Sequence, residues 1–183
     1  MSELTTQQQN EIAPPISGDW EILKEQIRHA IASKLLPASI KTPQQAFVIV
    51  QKGREIGIPM MQALSEIHVI SGKPTMSATL MLSQIYKNVP GAFIHFKTLS
   101  NEVCEIECGR SSNHPKTQIA FSIDDAKKAG LTRNPTWSKF PRAMLRSRAI
   151  SEMARTVFPD AISGINYTPD ELGGDVSPTD IEL

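Results

Sequence analysis

The sequence predicts an α+β fold, a small antiparallel sheet of three strands packed against several helices, with a long basic helix near the C-terminus. Three observations carry this expectation. Capped stretches with apolar residues at helical spacing fill much of residues 19–88. The centre of the chain then switches to β-type runs joined by a polar pair. Finally a helical pattern returns, rich in Arg, and stops at Pro159.

Residues 1–18 are polar, include Ala13-Pro14-Pro15-Ile16 and show no periodicity, so a flexible arm is expected there. A helix follows from Asp19 to Ser33, capped by Ser17 or Asp19. In it Trp20, Leu23, Ile27, Ala30 and Ile31 recur on one face. The next helix has stronger punctuation. Thr42 is an N-cap, Pro43 sits where its missing N–H costs nothing, and Gln45 completes a capping box. Gly57 stops this helix before Pro59. Met60–Ile67 reads as a short helical turn, His68–Ile70 as a short strand and Ser71–Pro74 as a turn. Ser77 caps a further helix to about Asn88.

Ala92–Leu99 and Glu102–Cys108, joined by Ser100-Asn101, form a hairpin pattern, and Lys116–Ile123 supplies a third strand after a polar loop. Three strands with one apolar face are stable when helices cover that face. Asp124–Ala129 is a short helix closed by Gly130, its two leading acids complementing the N-terminal dipole. From Trp137 to Phe158 a single helix is expected, with Ser138 as cap and Pro141 in its first turn. The core domain is thus placed at residues 19–166, and residues 167–183 are expected to be a mobile acidic tail.

Hydrophobic residues make up 40% of the 183-residue chain and charged residues 21%, a globular balance rather than a disordered one. No apolar run approaches the ~20 residues that span a bilayer, and the polar start lacks a signal-peptide pattern, so a cytoplasmic protein is expected. Cys104 and Cys108 lie on the same side of one expected strand and read as small buried apolar residues rather than a disulfide or zinc site.

The formal net charge is zero, but the charge is segregated. Residues 1–40 carry three basic and five acidic side chains. Residues 41–158 carry nine Lys and seven Arg against eight acids, and residues 159–183 carry six acids and no Lys or Arg. A basic body points to a polyanionic partner; an unevenly charged, solvated surface is the alternative. On the expected last helix, Lys139, Arg142 and Arg146 fall within about 60° of one another, at ~100° per residue. They share a stripe with Ile150, Met153 and Val157, while Arg148 and Arg155 lie on the opposite side. Phosphates suit such arginines, because the guanidinium fork binds them bidentately. Acids on other elements, such as Glu55 or Glu66, are the alternative partners. Trp137 and Phe140 flank Lys139, and aromatic faces beside positive charge are a recipe for sequence-tolerant single-strand binding. Core packing is the competing role for Trp137.

Ser71-Gly72-Lys73-Pro74 is not a phosphate loop, since Pro74 stands where Ser or Thr is required, although Lys73 on a turn can still meet a phosphate. His29, His68, His95 and His114 sit on unrelated elements without a nucleophile at useful spacing. A metal-dependent nuclease would need carboxylates such as Glu55, Glu66, Asp124 and Glu152 to converge.

Several segments together resemble the RecT and Red beta family of phage single-strand annealing proteins. They are Ser39–Phe47, Gly53–Pro59 with Ala63-Leu64, Ile67–Ala78, and above all Trp137 with Pro141–Ala149 and Ala154-Arg155. The resemblance runs from about Leu35 to Leu172. It implies an annealing core that forms homo-oligomeric rings or filaments on single-stranded DNA and pairs complementary strands into duplex without ATP. It implies no covalent chemistry and no cofactor, with Mg²⁺ at most a counter-ion of the DNA, and a partner exonuclease. By position it assigns Lys73, Arg142, Arg148 and Arg155 to the DNA groove and Lys128 more loosely. The helix argument adds Trp137, Lys139 and Arg146. Relatives with a longer C-terminal region use it to recruit partners. Here only a short acidic tail remains, which puts contacts to exonuclease or host single-strand-binding protein in question and raises the idea that the tail mimics DNA over the basic groove. The alternatives are a metal-dependent DNA nuclease and a non-enzymatic phage structural or regulatory protein.

Overall fold

The computed structural model describes residues 17–174, with side chains from Trp20 onward. Most of the expected N-terminal arm and the last nine residues of the expected tail lie outside the described residues.

Among the described residues the helical layer comes first: α1 (Ser17–Ala32), α2 (Pro43–Glu55) and α3 (Met60–Glu66). The capping box that begins α2 is made in full. The Thr42 hydroxyl accepts from the Gln45 backbone N–H, and the Gln45 side chain accepts from the Thr42 backbone N–H. Helices α2 and α3 meet at Gly53, where an added Cβ would lie 2.4 Å from the Ala63 Cβ, so only a hydrogen fits at this crossing.

A two-stranded hairpin follows, β1 (Ile67–Ile70) and β2 (Lys73–Met76), with Ile70 opposite Lys73. The turn is therefore only Ser71-Gly72, and both residues have positive φ, 51° and 78°. This is the tight hairpin turn whose twist matches its strands. Lys73 and Pro74, expected in a turn, stand instead in β2. Ser77 then caps α4 (Ala78–Asn88), its hydroxyl accepting from the Leu80 N–H.

The second sheet has the order β3 (Phe93–Leu99), β4 (Val103–Gly109), β5 (Thr117–Ser122), antiparallel throughout. The α+β class and the three-stranded sheet agree with the sequence expectation. Cys104, Ile106 and Cys108 of β4, with Ile119 and Phe121 of β5, form the buried face. Burial pushes the Cys104 thiol up to about 11, so it stays protonated, as a core residue should. On the other face Glu107 is bridged by Lys97 and Lys116, at 3.4 and 2.8 Å.

Three short elements lead to the long helix: α5 (Ile123–Lys128), a 3-10 turn (Leu131–Arg133) and α6 (Thr136–Lys139). Helix α7 (Pro141–Val157) then crosses the buried face of β4 and β5 and packs on α4. Its inner side supplies Met144, Leu145, Ala149, Ile150, Met153 and Ala154 to a core that Phe158, Ile162 and Ile165 complete. None of the described helices is long and apolar enough to cross a membrane.

Two expectations are corrected here. The single helix from Trp137 to Phe158 is two helices. Phe140 leaves the helical region (φ −134°, ψ 54°), because Pro141 disfavours a helical residue before it and lacks the N–H that would continue the ladder. Ser138 does not cap; its hydroxyl donates to the Pro135 carbonyl at 2.8 Å. The tail does not begin at residue 167 either. Pro169–Leu172 form a 3-10 turn with Thr168, Pro169 and Asp170 buried, and Tyr167 is tied to β2 by the Met76 N–H at 3.1 Å. Packed structure therefore continues past residue 167.

Candidate nucleic-acid interface

Between Asp125 and Glu152 the sequence has no carboxylate, while it carries Lys127, Lys128, Arg133, Lys139, Arg142, Arg146 and Arg148. The fold brings most of this interval together, because α5, the 3-10 turn, α6 and α7 contact one another in sequence. Gly130 (φ 72°) turns the chain out of α5. Asn134 then accepts from the Thr136 N–H at 2.9 Å and starts α6, which places Lys139 in its last turn.

Lys139, Phe140, Pro141 and Arg142 line an open concavity of about 360 Å³ with Ser138, Ala143 and Asn101, the last from the β3–β4 turn. Lys139 and Arg142 are exposed, and among the described residues neither has a carboxylate partner. Phe140 is 42% exposed between them. Helix α7 begins here without a side-chain cap and with no acid in its first turn. The free N–H groups and positive dipole end of a 17-residue helix thus add to the two cations. Arg133, exposed on the preceding turn, was not singled out from spacing; the acid-free interval was the signal that marks it.

The eight residues expected to contact DNA do not share one surface. Lys139 and Arg142 sit together at this concavity. Lys128 is exposed at the end of α5, near Asp125, whose carboxyl is held below its usual range mainly by the Ser122 hydroxyl and backbone N–H and least by Lys128 itself. Trp137 is 3% exposed and belongs to the core, so the aromatic face available beside Lys139 is Phe140. Arg146 is 9% exposed, turned inward where its charge is felt by the Cys104 thiol, and does not continue a Lys139–Arg142 stripe. The break at Phe140 takes Lys139 out of the stripe, while Arg142 and Arg146 stay four residues apart on α7, Arg142 at its open first turn and Arg146 on the side that packs into the core with Ile150 and Met153.

Lys73, Arg148 and Arg155 belong to a second cluster. Arg148 and Arg155 both pair with the Glu171 carboxylate, Arg155 at 2.8 Å, and that carboxylate is only 4% exposed. Ser151 donates to the same carboxylate, and Arg155 also donates to the Asn166 carbonyl at 2.7 Å. Lys73 and Arg155 each stand 5.7 Å from the Tyr167 ring centroid, and Arg148 lies 5.1 Å from that of Phe121. Arg148 and Arg155 thus meet an acid from another element, Glu171. Of the acids named from the sequence, Glu55 pairs with Lys52, and the Glu66 carboxylate accepts from the Ser77 hydroxyl among its contacts.

Next to Glu171, burial pushes the Asp170 carboxyl from 3.8 up to about 6; Glu171 adds to this, while Thr168, Arg148 and the Ser147 hydroxyl (3.2 Å) oppose it. A carboxyl raised on folding takes up a proton when the chain folds, so its unfavourable contribution grows as pH rises from about 4 to 6 and then stays constant. Asp170→Asn should therefore stabilise the protein at pH 8 by on the order of 3 kcal/mol and by nearly nothing at pH 4. Urea unfolding at the two pH values checks this, and an equal effect at both would contradict it.

Among the described residues no three His, Cys, Asp or Glu side chains gather as a metal-binding group. Comparison with known proteins found no matching family model and no matching curated protein.

Proposed function

We propose that the protein binds single-stranded DNA and anneals complementary strands without ATP, as a homo-oligomeric annealing protein of the RecT type acting in the cytoplasm. The observation that carries the reading is the cationic concavity at the α6–α7 break, where Lys139 and Arg142 stand exposed around Phe140 with no carboxylate partner among the described residues. The sequence resemblance concentrated on Trp137–Arg155 supports the same reading.

The chemistry follows from those groups. Two strands repel through their phosphates, and ammonium and guanidinium groups that neutralise one backbone lower the barrier to bringing up the second. An exposed phenyl ring offers a stacking surface to any base. Base pairing then supplies both specificity and driving free energy, so no nucleotide hydrolysis is required. One subunit covers only a few nucleotides, and neighbouring subunits extend the groove. Mg²⁺ acts at most as a counter-ion of the DNA. A partner exonuclease that makes single strands, and host single-strand-binding protein, complete the setting.

The test mixes complementary oligonucleotides without ATP, with and without the protein, and reads duplex yield and strand length. Faster pairing of intact strands is expected. Shortened strands would indicate a nuclease instead, and no change in either would indicate a structural or regulatory protein. Binding should also weaken with salt, the logarithm of the affinity falling by about 0.7 per decade for each phosphate contact on a single strand.

A further inference from the structure

We infer that Arg148, Arg155 and Ser151 form a phosphodiester site that the protein fills with its own Glu171, and that single-stranded DNA takes this site by displacing residues 168–174. The inference rests on the single-strand-binding reading above and adds to it a second, latched subsite.

The geometry is that of an anion site with an internal occupant. Arg148 and Arg155 lie seven residues apart on α7, on one side of the helix, at about −20° to each other by helical rotation. Ser151 stands between them, and all three converge on one carboxylate. Two guanidinium groups and a hydroxyl are the donors that bind a phosphate as well as a carboxylate, and the fork geometry suits both. Lys73 and Tyr167 stand beside the site, the ring against both Lys73 and Arg155. A base and the next phosphate of a bound strand would find a stacking face and a cation there.

The occupant is attached in a way that another anion can undo. Within 168–174 the backbone hydrogen bonds are local, from Glu171 N to Thr168 O at 3.2 Å and from Gly174 N to Pro169 O at 2.8 Å. Its polar attachments to the rest of the protein include the Glu171 contacts and the Ser147 hydroxyl bond to Asp170. Asp170 is 6% exposed, and among the described residues its Oδ2 has no hydrogen-bond partner, so docking buries a carboxyl at a cost that release recovers. The hinge is defined as well. Tyr167 stays tied to β2 through the Met76 N–H, and Gly174 closes the segment so tightly that a Cβ there would meet the Ile70 Cδ1 at 2.8 Å and the Pro169 carbonyl oxygen at 3.1 Å.

Two variants open the latch by different means. Glu171→Gln removes the competing charge, and Gly174→Ala loosens the end of the segment by crowding the Ile70 side-chain tip and the Pro169 carbonyl oxygen, with no change of charge. A fluorescent thymidine oligonucleotide, titrated over a salt series, measures both against the parent protein, with circular dichroism to verify folding. Glu171→Gln is expected to bind about tenfold or more tightly, with a salt slope steeper by about 1.4 for two added phosphate contacts. Gly174→Ala should shift affinity in the same direction. In the unaltered protein, the amides of Glu171, Gly173 and Gly174 should exchange hydrogen faster when the oligonucleotide is present; slower or unchanged exchange overturns the latch, whether or not Glu171→Gln folds. If Lys139→Glu/Arg142→Glu weakens binding while both latch variants leave it unchanged, the latch is overturned and the annealing interface stands. If no form of the protein binds the oligonucleotide, both ideas fail together.

Discussion

Reversing both exposed cations at the α6–α7 break, Lys139→Glu with Arg142→Glu, is expected to weaken single-stranded DNA binding by roughly 10²-fold or more and to abolish accelerated annealing. A hydrogen bond to a charged group contributes about 1.5–3 kcal/mol, and 1.4 kcal/mol is a factor of ten in affinity. Losing two such contacts, and adding like-charge repulsion at the uncapped end of α7, gives that magnitude. The change should leave folding intact, since both side chains are exposed and unpaired among the described residues. Added acids in this first turn even favour the helix dipole. The salt slope of the remaining binding should be shallower, because fewer counter-ions are released. Parent-like affinity in a folded double variant would show that the concavity does not meet DNA and would remove the central support of the proposed function.

How much of this could be read in the chain depended on whether the signal was local. The Thr42–Gln45 capping box, the Ser77 cap, the central hairpin and the buried Cys104 and Cys108 are written in a few adjacent residues, and the fold contains them. Strand β2 escaped because Lys73 and Pro74 have turn chemistry; only pairing with β1 makes them a strand. The break at Phe140 was missed for a related reason. Pro141 is compatible with a first helical turn, and Ser138 has cap chemistry, so one continuous helix and one helix begun afresh at Pro141 look alike in sequence. Arg146 was misplaced for a separate reason: it stands four residues after Arg142 on α7, as the stripe had it, but on the side of Ile150 and Met153 that packs into the core. Arg148 and Arg155 show a different limit. Their spacing put them together, as they are, but the group between them comes from residue 171, in a stretch whose Gly, Pro and acid content reads as loose tail. Composition registers the acids there and not the arginines that hold them.

The sharpest separation of fold from site lies in two aromatic residues three apart. Trp137 is 3% exposed within the core and Phe140 is 42% exposed at the concavity, yet either ring is chemically fit to stack on a base. Trp137→Ala is expected to destabilise the protein by about 3–5 kcal/mol, the usual cost of emptying a large buried aromatic site. That is a large share of a single domain's total stability of about 5–15 kcal/mol, and it should appear as a lowered urea midpoint. At low temperature, where the variant remains folded, its affinity per folded molecule should stay within about twofold of the parent. Phe140→Ala should behave in the opposite way. Its half-open ring contributes little to the core, so the urea midpoint should barely move, while loss of a base-stacking face should weaken oligonucleotide binding by about 1–3 kcal/mol. Reading both variants for stability and for binding gives a crossed result that one shared role for the two rings cannot produce. Should Trp137→Ala lose affinity while fully folded, the tryptophan would have to reach the bound strand, and the interface drawn around Phe140 would be wrong.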